Sequence, residues 1–225
     1  MNDKKIINVL IISLFSTFIF FLVSMNRTIS IATASQKSSV KKTKSCIYNF
    51  ETGVMGWKHQ TYKDSRAIHS VIQSQKGVAK YGNYSLEALV NLICGDKSLS
   101  KGETFVEIAS DTLIGAYGPK NLLGKPISCW IKTPWKAVGE WSKPNGIQVF
   151  VKDMKNRSQY GEWHNIETDK WFEVIYTPTL KPTKGMWTDK GFDPTKITII
   201  GVKIGCGGGS SARFKGKINI DCISL

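Results

Sequence analysis

Residues 127–132 (ISCWIK) and 147–153 (IQVFVKD) alternate apolar and polar side chains with the two-residue period of a β-strand. The odd-numbered residues, up to positions 131 and 151, are apolar and are expected to enter a core. The even-numbered residues, which include Trp130 and Phe150, are expected on the opposite face of each strand. Helical periodicity is nearly absent from Cys46 onward, so these two runs predict an all-β fold.

Similar short runs, rich in β-branched and aromatic residues, recur along the rest of the chain between clusters of Gly, Pro, Asn and Asp. Short strands without a long helix predict a two-sheet antiparallel β-sandwich over residues 46–225. No internal repeat is evident, which argues against a propeller or solenoid. The strands are predicted at residues 47–51, 57–61, 69–73, 84–92, 104–109, 127–133, 147–153, 162–166, 171–177, 197–205 and 217–223.

The N-terminal segment predicts export. Lys4 and Lys5 precede an almost wholly apolar run at residues 6–23, a length between that of a signal-peptide core and that of a membrane span. Residues 1–34 are therefore predicted to be a signal peptide, cleaved after the motif Ala32-Thr33-Ala34, or else an anchor helix, and cleavage is preferred. Residues 35–45 (SQKSSVKKTKS) are predicted to be a basic linker. The domain is expected to be secreted, or anchored with the domain outside.

The charge balance narrows the class of partner. The chain has 31 Lys and Arg against 17 Asp and Glu, a formal net charge of +14. Such a balance suggests a polyanion, which is nucleic acid, an anionic membrane or an acidic polymer. Export argues against nucleic acid and leaves an anionic cell envelope or an acidic polymer as the expected partner. No obligate protein partner is inferred.

The cysteines fit an oxidising compartment. There are five, at positions 46, 94, 129, 206 and 222, and the odd number leaves at least one free or paired between chains. Cys46 opens the first predicted strand and Cys222 lies in the last, so the two can pair if those strands are neighbours. Cys129 is expected to be a small buried side chain. No C-x-x-C spacing supports a zinc ribbon or a thioredoxin-like site.

Large rings on the outward faces of two strands require an explanation. Trp130 alternates with Ser128 and Lys132, and Phe150 with Gln148 and Lys152. Outward faces of antiparallel strands are ordinarily polar. Two explanations stay open: a covering loop or second hydrophobic layer, or a sugar-binding platform on which rings stack against pyranose faces while polar neighbours bind hydroxyls.

Several segments carry a family resemblance in the order of the chain. Residues 48–57 (YNFETGVMGW) resemble the opening of carbohydrate-binding modules of the galactose-binding-domain-like β-jelly-roll type, and residues 81–86 (YGNYSL) resemble the strand that follows. The resemblance covers residues 47–225 and implies a jelly-roll sandwich that binds extracellular polysaccharide without catalysis. The further matching segments are 122–131, 148–153, 171–174, 192–194, 199–204 and 216–223.

The candidate sugar-binding residues lie on the two outward faces and on the loops beyond them. Trp57 and Trp171 occupy positions that look structural in the family and are expected in the core, whereas Trp187 is open between capping the sandwich and lining the site. The predicted contacts are Trp130, Trp135, Trp141, Gln148, Phe150, Lys152, Tyr160 and Trp163.

The resemblance also implies a structural calcium ion that joins the start of the first strand to the last strand. Its side-chain ligands are expected to be Glu51 and Asp221, with Asn83 or a carbonyl near Ser85 completing the shell, because a hard cation needs several oxygen ligands. Here Cys222 follows Asp221 where relatives often have a second acid. This departure favours a site that is weaker or lost.

Two other functions stay open: an envelope structural or adhesion protein that uses the same fold for protein contacts, and a glycan hydrolase. The three His residues lack metalloprotease spacing, and no nucleophile elbow or phosphate-binding loop is present. Lys132 and Lys152, predicted beside the platform rings, make an acidic or mixed glycan a better candidate than a neutral one.

Overall fold

The computed structural model describes residues 45–60, 70–93, 105–111, 118–167, 169–207 and 213–225. The predicted leader, residues 35–44 of the linker, and Cys94 lie outside the described residues. Within these ranges no helix is long and apolar enough to cross a membrane. The elements are β1 Trp57–His59, β2 Ser70–Gln73, β3 Leu86–Ile93, β4 Phe105–Ser110, β5 Ile127–Lys132, a 3₁₀ helix Trp135–Val138, β6 Gly139–Glu140, β7 Lys143–Pro144, β8 Gly146–Asp153, β9 Ser158–Tyr160, β10 His164–Asn165, β11 Trp171–Tyr176, β12 Trp187–Thr188, β13 Ile197–Gly205 and β14 Arg213–Ser224.

The described strands form two larger sheets and one short hairpin. The seven-stranded sheet has the order β1-β4-β13-β8-β9-β12, with β10 also paired to β8. The five-stranded sheet has the order β11-β5-β14-β3-β2, and β6 pairs with β7. Every pairing between these strands is antiparallel, which confirms the predicted all-β antiparallel sandwich.

One hydrophobic core lies between the two sheets, where the alternation of β5 and β8 predicts it. The odd-numbered residues 127–131 and 147–151 are at most 1% exposed. They pack with the inward residues of β13, such as Val202, and of β14, such as Ile218. The inward face of each sheet is therefore apolar along its length, and the chemistry of the molecule must lie on the outward faces and the loops.

The predicted first strand is shorter in the structure. Within residues 47–51, Tyr48 forms an isolated bridge with Ile223, and Phe50 then takes a left-handed conformation with φ +57°. This turn brings the rings of Tyr48 and Phe50 to 5.4 and 5.7 Å from that of Trp57. Trp57 is 2% exposed, so its predicted core position is confirmed, whereas Trp171 is half-buried.

A disulfide closes the domain at its termini. Cys46 and Cys222 are bonded, and the backbone N–H of Ile47 donates to the carbonyl of Ile223 over 2.7 Å. Cys206 is also disulfide-bonded. Cys129 is a free thiol in the core, as predicted, and burial raises its pKa well above the ordinary value.

Candidate functional site: a cleft on the seven-stranded sheet

The structure separates the predicted platform residues into two groups. Gln148, Phe150 and Lys152 lie on β8 and Tyr160 lies on β9, all in the seven-stranded sheet. Trp130 lies on β5 in the five-stranded sheet. Since each outward face points away from the shared core, Trp130 and the β8 residues lie on opposite sides of the sandwich.

Trp130 lies under a turn, which is the covering-loop explanation. The ammonium of Lys80 lies 3.8 Å from the centre of the indole, and the ring of Tyr81 meets the indole edge-on with centroids 6.1 Å apart. The indole Nε1 is buried without a hydrogen-bond partner among the described residues. The sequence alternation places Trp130 outward correctly, but it contains no information about this distant turn.

A row of paired residues crosses the outward face of the seven-stranded sheet from β4 to β12. Its members, each paired with the next, are Ala109, Gly201, Phe150, Tyr160 and Trp187. A Cβ atom at Gly201 would lie 2.3 Å from the Phe150 ring, so the ring occupies the space beside the glycine where a side chain would lie. The absence of a side chain at position 201 is what allows the ring to lie against the sheet.

Phe150 forms a second hydrophobic layer outside the main core. Its side chain is 0% exposed and clusters with Ala109 and Tyr160, whose ring centre is 5.2 Å from that of Phe150. A ring buried in this way supports the surface above it and is covered against direct stacking with a sugar. For Phe150 the structure therefore favours a second hydrophobic layer, and not direct sugar stacking, as the explanation of its outward position.

Beside this row, a buried carboxylate organises the polar groups. Glu107 on β4 is 1% exposed, and its Oε1 accepts a 2.6 Å hydrogen bond from the hydroxyl of Tyr160. The ammonium of Lys152 lies 3.8 Å from its Oε2. A buried carboxylate is costly unless it is paired, so these contacts hold Glu107, Tyr160 and Lys152 in one arrangement.

Lys203 lies between Glu107 and Gln148 in the next cross-strand row. Its ammonium is 4.5 Å from the ring centre of Phe105 and 4.8 Å from that of Tyr160. Burial lowers the pKa of Lys203, and the charge of Glu107 opposes that shift. The side chain thus carries a partly desolvated cation between two aromatic faces.

Trp163 lies at the end of this face, over a third row. Gly205 pairs with both Phe105 and Gly146, and a Cβ atom at Gly146 would lie 2.1 Å from the Trp163 ring. The indole therefore lies against two glycines, while the residue as a whole stays 38% exposed. The predicted sugar contact at Trp163 remains a prediction, and the structure places it beside the residues of the cleft.

These rows enclose a cleft of about 320 Å³. Trp187 forms its exposed wall, since the residue is 55% exposed and its ring centre is 5.5 Å from that of Tyr160. Aromatic surface beside a few converging polar groups is typical of ligand sites. The lining residues are Phe105, Glu107, Gln148, Tyr160, Trp187 and Lys203.

The sequence predicted only part of this lining. Gln148 and Tyr160 were candidates and Trp187 was undecided, but Phe105, Glu107 and Lys203 were missed. The signal was present, because Glu107 alternates with buried Val106 and Ile108, and Lys203 with Val202 and Ile204. The sequence does not give the order of the strands, however, so it does not show that Glu107 and Lys203 lie beside the outward residues of β8.

Trp135 and Trp141 project from the loop before β8. They are 59% and 78% exposed, on the 3₁₀ helix and at the turn between β6 and β7. Asn145 fixes this loop, since its backbone N–H donates to the carbonyl of Val138 and its side-chain amide to that of Ala137. Neither indole lines the cleft, so their predicted sugar contact would require a ligand that extends beyond it.

A larger recess of about 410 Å³ lies elsewhere, beside Glu162, His164 and Thr183. The hydroxyl of Thr183 donates to Oε1 of Glu162. Tyr176 in its lining is 4% exposed, and its hydroxyl donates a hydrogen bond to Oε1 of Gln159. The smaller cleft combines exposed aromatic surface with a desolvated cation and is the better candidate site.

The predicted calcium ligands meet at the turn of residues 80–84. Oδ2 of Asp221 accepts hydrogen bonds from the backbone N–H groups of Lys80 and Tyr81, at 2.7 and 3.0 Å. Oε1 of Glu51 accepts from those of Asn83 and Tyr84, both at 2.8 Å. The two carboxylates therefore anchor the same turn, with Asn83 contributing its backbone amide.

Charge favours a cation at this turn, although the carboxylates are already hydrogen-bonded. Burial raises the pKa of Asp221 to about 6, and the charge of Glu51 adds to the shift against three backbone hydrogen bonds. Among the described residues, no group of three or more His, Cys, Asp and Glu side chains could hold a metal. Glu51 and Asp221 fit a hard cation only if backbone carbonyls supply the other ligands.

Comparison with known proteins identifies the fold. No protein-family model and no curated protein matches the sequence. The carbohydrate-binding module CBM27-1 of Caldicellulosiruptor saccharolyticus, solved with mannohexaose, is similar over 78% of this chain and 93% of its own, with 15% identity and a TM-score of 0.50. A xylan-binding domain from CBM 22 matches 78% of this chain and 89% of its own, with 13% identity and a TM-score of 0.44. TmCBM61, solved with β-1,4-galactotriose, matches 78% and 91%, with 16% identity and a TM-score of 0.35. At 15% identity the property shared with CBM27-1 is the fold, and this chain has a β-sandwich fold like that of CBM27-1.

Proposed function

We propose that this protein binds polysaccharide without catalysis, through the cleft on the seven-stranded sheet. The observation that carries the proposal is the wall of Trp187 and Tyr160 facing the polar groups of Glu107, Gln148 and Lys203. Sugar rings present apolar C–H faces and a rim of hydroxyls, so they need aromatic surface and converging hydrogen-bonding groups together. The fold supports the proposal because CBM27-1, which shares it, was solved with mannohexaose.

The rigidity of the cleft supports binding. Phe150 is locked over Gly201, and Tyr160 is fixed through Glu107, so the floor of the site is already ordered. Side chains ordered before a ligand arrives lose little conformational entropy when it binds. Trp187 is the exposed ring that remains available for stacking.

The position of Glu107 in the cleft supports a binding role for this carboxylate. Glycoside hydrolysis ordinarily uses two carboxylates that flank the scissile bond. Among the described residues that line the cleft, Glu107 is the one carboxylate, and its oxygens are already in contact with Tyr160 and Lys152. It is therefore placed as a structural anchor of the site.

We further propose that the domain works outside the cell. The disulfide between Cys46 and Cys222, and the disulfide-bonded state of Cys206, support this because such bonds persist in oxidising compartments. An exported basic domain with an aromatic cleft is suited to a cell-wall or extracellular polysaccharide.

A second candidate function is protein contact at the envelope, favoured by one observation. Trp135 and Trp141 are highly exposed outside the cleft, which is unusual for two large aromatic side chains. The double change of Trp135 and Trp141 to Ala distinguishes the two functions. It abolishes capture of an envelope protein in the second case and leaves cleft-dependent glycan binding in place in the first.

A calcium ion held by Glu51 and Asp221 is also proposed. It would neutralise the repulsion that contributes to the raised pKa of Asp221 and would tie the turn of residues 80–84 to both ends of the domain. The test is thermal unfolding with chelator and with added Ca²⁺. The proposal predicts a higher melting temperature with Ca²⁺, absent in Glu51→Gln, and an unchanged melting temperature contradicts it.

The test of the main function is a binding screen. Affinity electrophoresis and calorimetry against mannan, xylan, galactan, β-glucan and acidic polysaccharides should find at least one ligand. Retention must fall when Trp187 is changed to Ala, and reducing sugar must not be released. Failure of the folded protein to bind any of them would overturn the proposal.

A further inference from the structure

The cleft carries an ammonium group for which the described residues provide no direct anionic partner. Glu107 accepts from Tyr160 at 2.6 Å and lies 3.8 Å from Lys152, whereas Lys203 makes its close contacts to the rings of Phe105 and Tyr160. Among the described lining and floor residues, two lysines therefore face one carboxylate. The described part of the cleft therefore holds an excess of positive charge.

The position of Lys203 relative to the exposed rings is also informative. On β13, Lys203 lies between Gly205 and Gly201. The cross-strand row through Gly205 lies under Trp163, and the row through Gly201 ends at Trp187. Four residues along β13 separate those outer rows, about 13 Å at about 3.3 Å per residue. A saccharide that reached from Trp163 to Trp187 would cross the row of Lys203 and Gln148, both of which line the cleft.

An anion stabilises a partly desolvated ammonium group more than a hydroxyl does. Burial lowers the pKa of Lys203, which means that its environment disfavours the charged form. A carboxylate placed beside it would restore the charged form and make a charge-assisted hydrogen bond, about twice as strong as a neutral one. Residues 46–225, with 24 Lys and Arg against 16 Asp and Glu, would also attract a polyanion at long range.

We infer that the cleft selects an acidic polysaccharide, with Lys203 bound to the carboxylate of a uronic acid unit between sugars stacked on Trp163 and Trp187. This inference rests on the proposed function and specifies its ligand class. Lys152 contributes indirectly, because it helps to neutralise Glu107. Lys203 is then the group that binds the uronic acid carboxylate.

The test uses pairs of oligosaccharides that differ in their carboxylates. Calorimetry would compare galacturonate oligomers with their neutral methyl esters, and β-1,4-mannuronate with β-1,4-mannose oligomers, at low and at high NaCl. Wild-type protein should bind the better acidic member at least about tenfold more tightly than its neutral counterpart, and salt should weaken only the acidic complex. Lys203→Met should remove about tenfold of the acidic affinity and less than about threefold of the neutral one.

The matched control is Lys215→Met, which removes the same charge from an exposed position on β14 in the five-stranded sheet. It should leave both affinities within about twofold. Equal binding of the two members by wild-type protein, or equal losses in Lys203→Met, would overturn the inference and leave polysaccharide binding intact. Binding to neither class would overturn the proposed function as well.

Discussion

The hydroxyl of Tyr160 reaches Oε1 of Glu107 over 2.6 Å, although their strands β9 and β4 are separated in the sheet by β8 and β13. The Tyr160 ring therefore spans two strands, over Phe150 and beside Lys203. This one contact ties the aromatic wall of the cleft to its buried carboxylate. It links the stability of the domain to the shape of the site.

Tyr160→Phe is expected to destabilise the domain by about 1–3 kcal/mol, because it removes the hydroxyl that donates to the buried Glu107 carboxylate. The free energy of unfolding in urea measures this loss. Tyr84→Phe is a suitable control, since the half-buried Tyr84 donates its hydroxyl to no described residue. Equal stability of Tyr160→Phe and the wild type would show that this hydrogen bond contributes nothing.

Gly146→Ala is expected to displace Trp163. The new methyl group would lie 2.1 Å from the indole, closer than any packing permits, so the ring must leave the sheet. Affinity for the glycan should then fall as far as it does in Trp163→Ala, and the Trp fluorescence should shift to longer wavelength. Full affinity in Gly146→Ala together with a loss in Trp163→Ala would contradict this geometry.

Asp221 is expected to make stability depend on pH in a direction opposite to an ordinary paired carboxylate. Its pKa is about 6 in the folded protein against an ordinary value of 3.8. Between these values the unfolded chain ionises first, so stability falls as pH rises from about 4 to above 6, by up to about 3 kcal/mol at 1.36 kcal/mol per unit.

The comparison that isolates this effect is wild type against Asp221→Asn in metal-free buffer. Other carboxylates, such as Asp153, titrate in both proteins and cancel in the difference. The stability of the wild type relative to the variant should decline across pH 4 to 7. Parallel pH profiles would show that Asp221 titrates normally.

The Cys46–Cys222 disulfide should matter for stability, because it closes a loop with a sequence separation of 176 residues. Changing both cysteines to Ala is expected to cost about 2–5 kcal/mol by releasing the unfolded chain. Denaturant unfolding without reductant measures the cost while leaving the other disulfide intact. A loss below about 1 kcal/mol would mean that the backbone hydrogen bonds of Ile47 and Tyr48 with Ile223 are sufficient to hold the termini together.

The all-β fold was predictable because β5 and β8 alternate so strictly that the buried set at positions 127–131 and 147–151 follows from the period alone. Boundaries were less accurate where a turn intervened, as at Phe50. The strands β9 and β12 were missed, since three and two residues give no measurable periodicity. Those short strands supply Tyr160 and Trp187 to the cleft.

The site was harder to predict than the fold, because a sequence period gives the face of a strand but not which strands are neighbours. Trp130 and Phe150 are both outward, yet one lies beneath Lys80 and the other beneath Tyr160. Lys203 follows the same outward pattern, but it joins the cleft only because β13 lies between β4 and β8 in the sheet. Sheet order therefore carried the missing information.

The most direct test of polysaccharide binding in this cleft compares the affinity of wild type, Trp187→Ala and Trp130→Phe for the best ligand of the screen. Trp187→Ala should weaken binding at least about tenfold, as expected for loss of an aromatic anchor. Trp130→Phe changes a covered ring on the opposite sheet and should stay within about twofold. Equal affinity of Trp187→Ala and the wild type, or a larger loss in Trp130→Phe, would contradict the account.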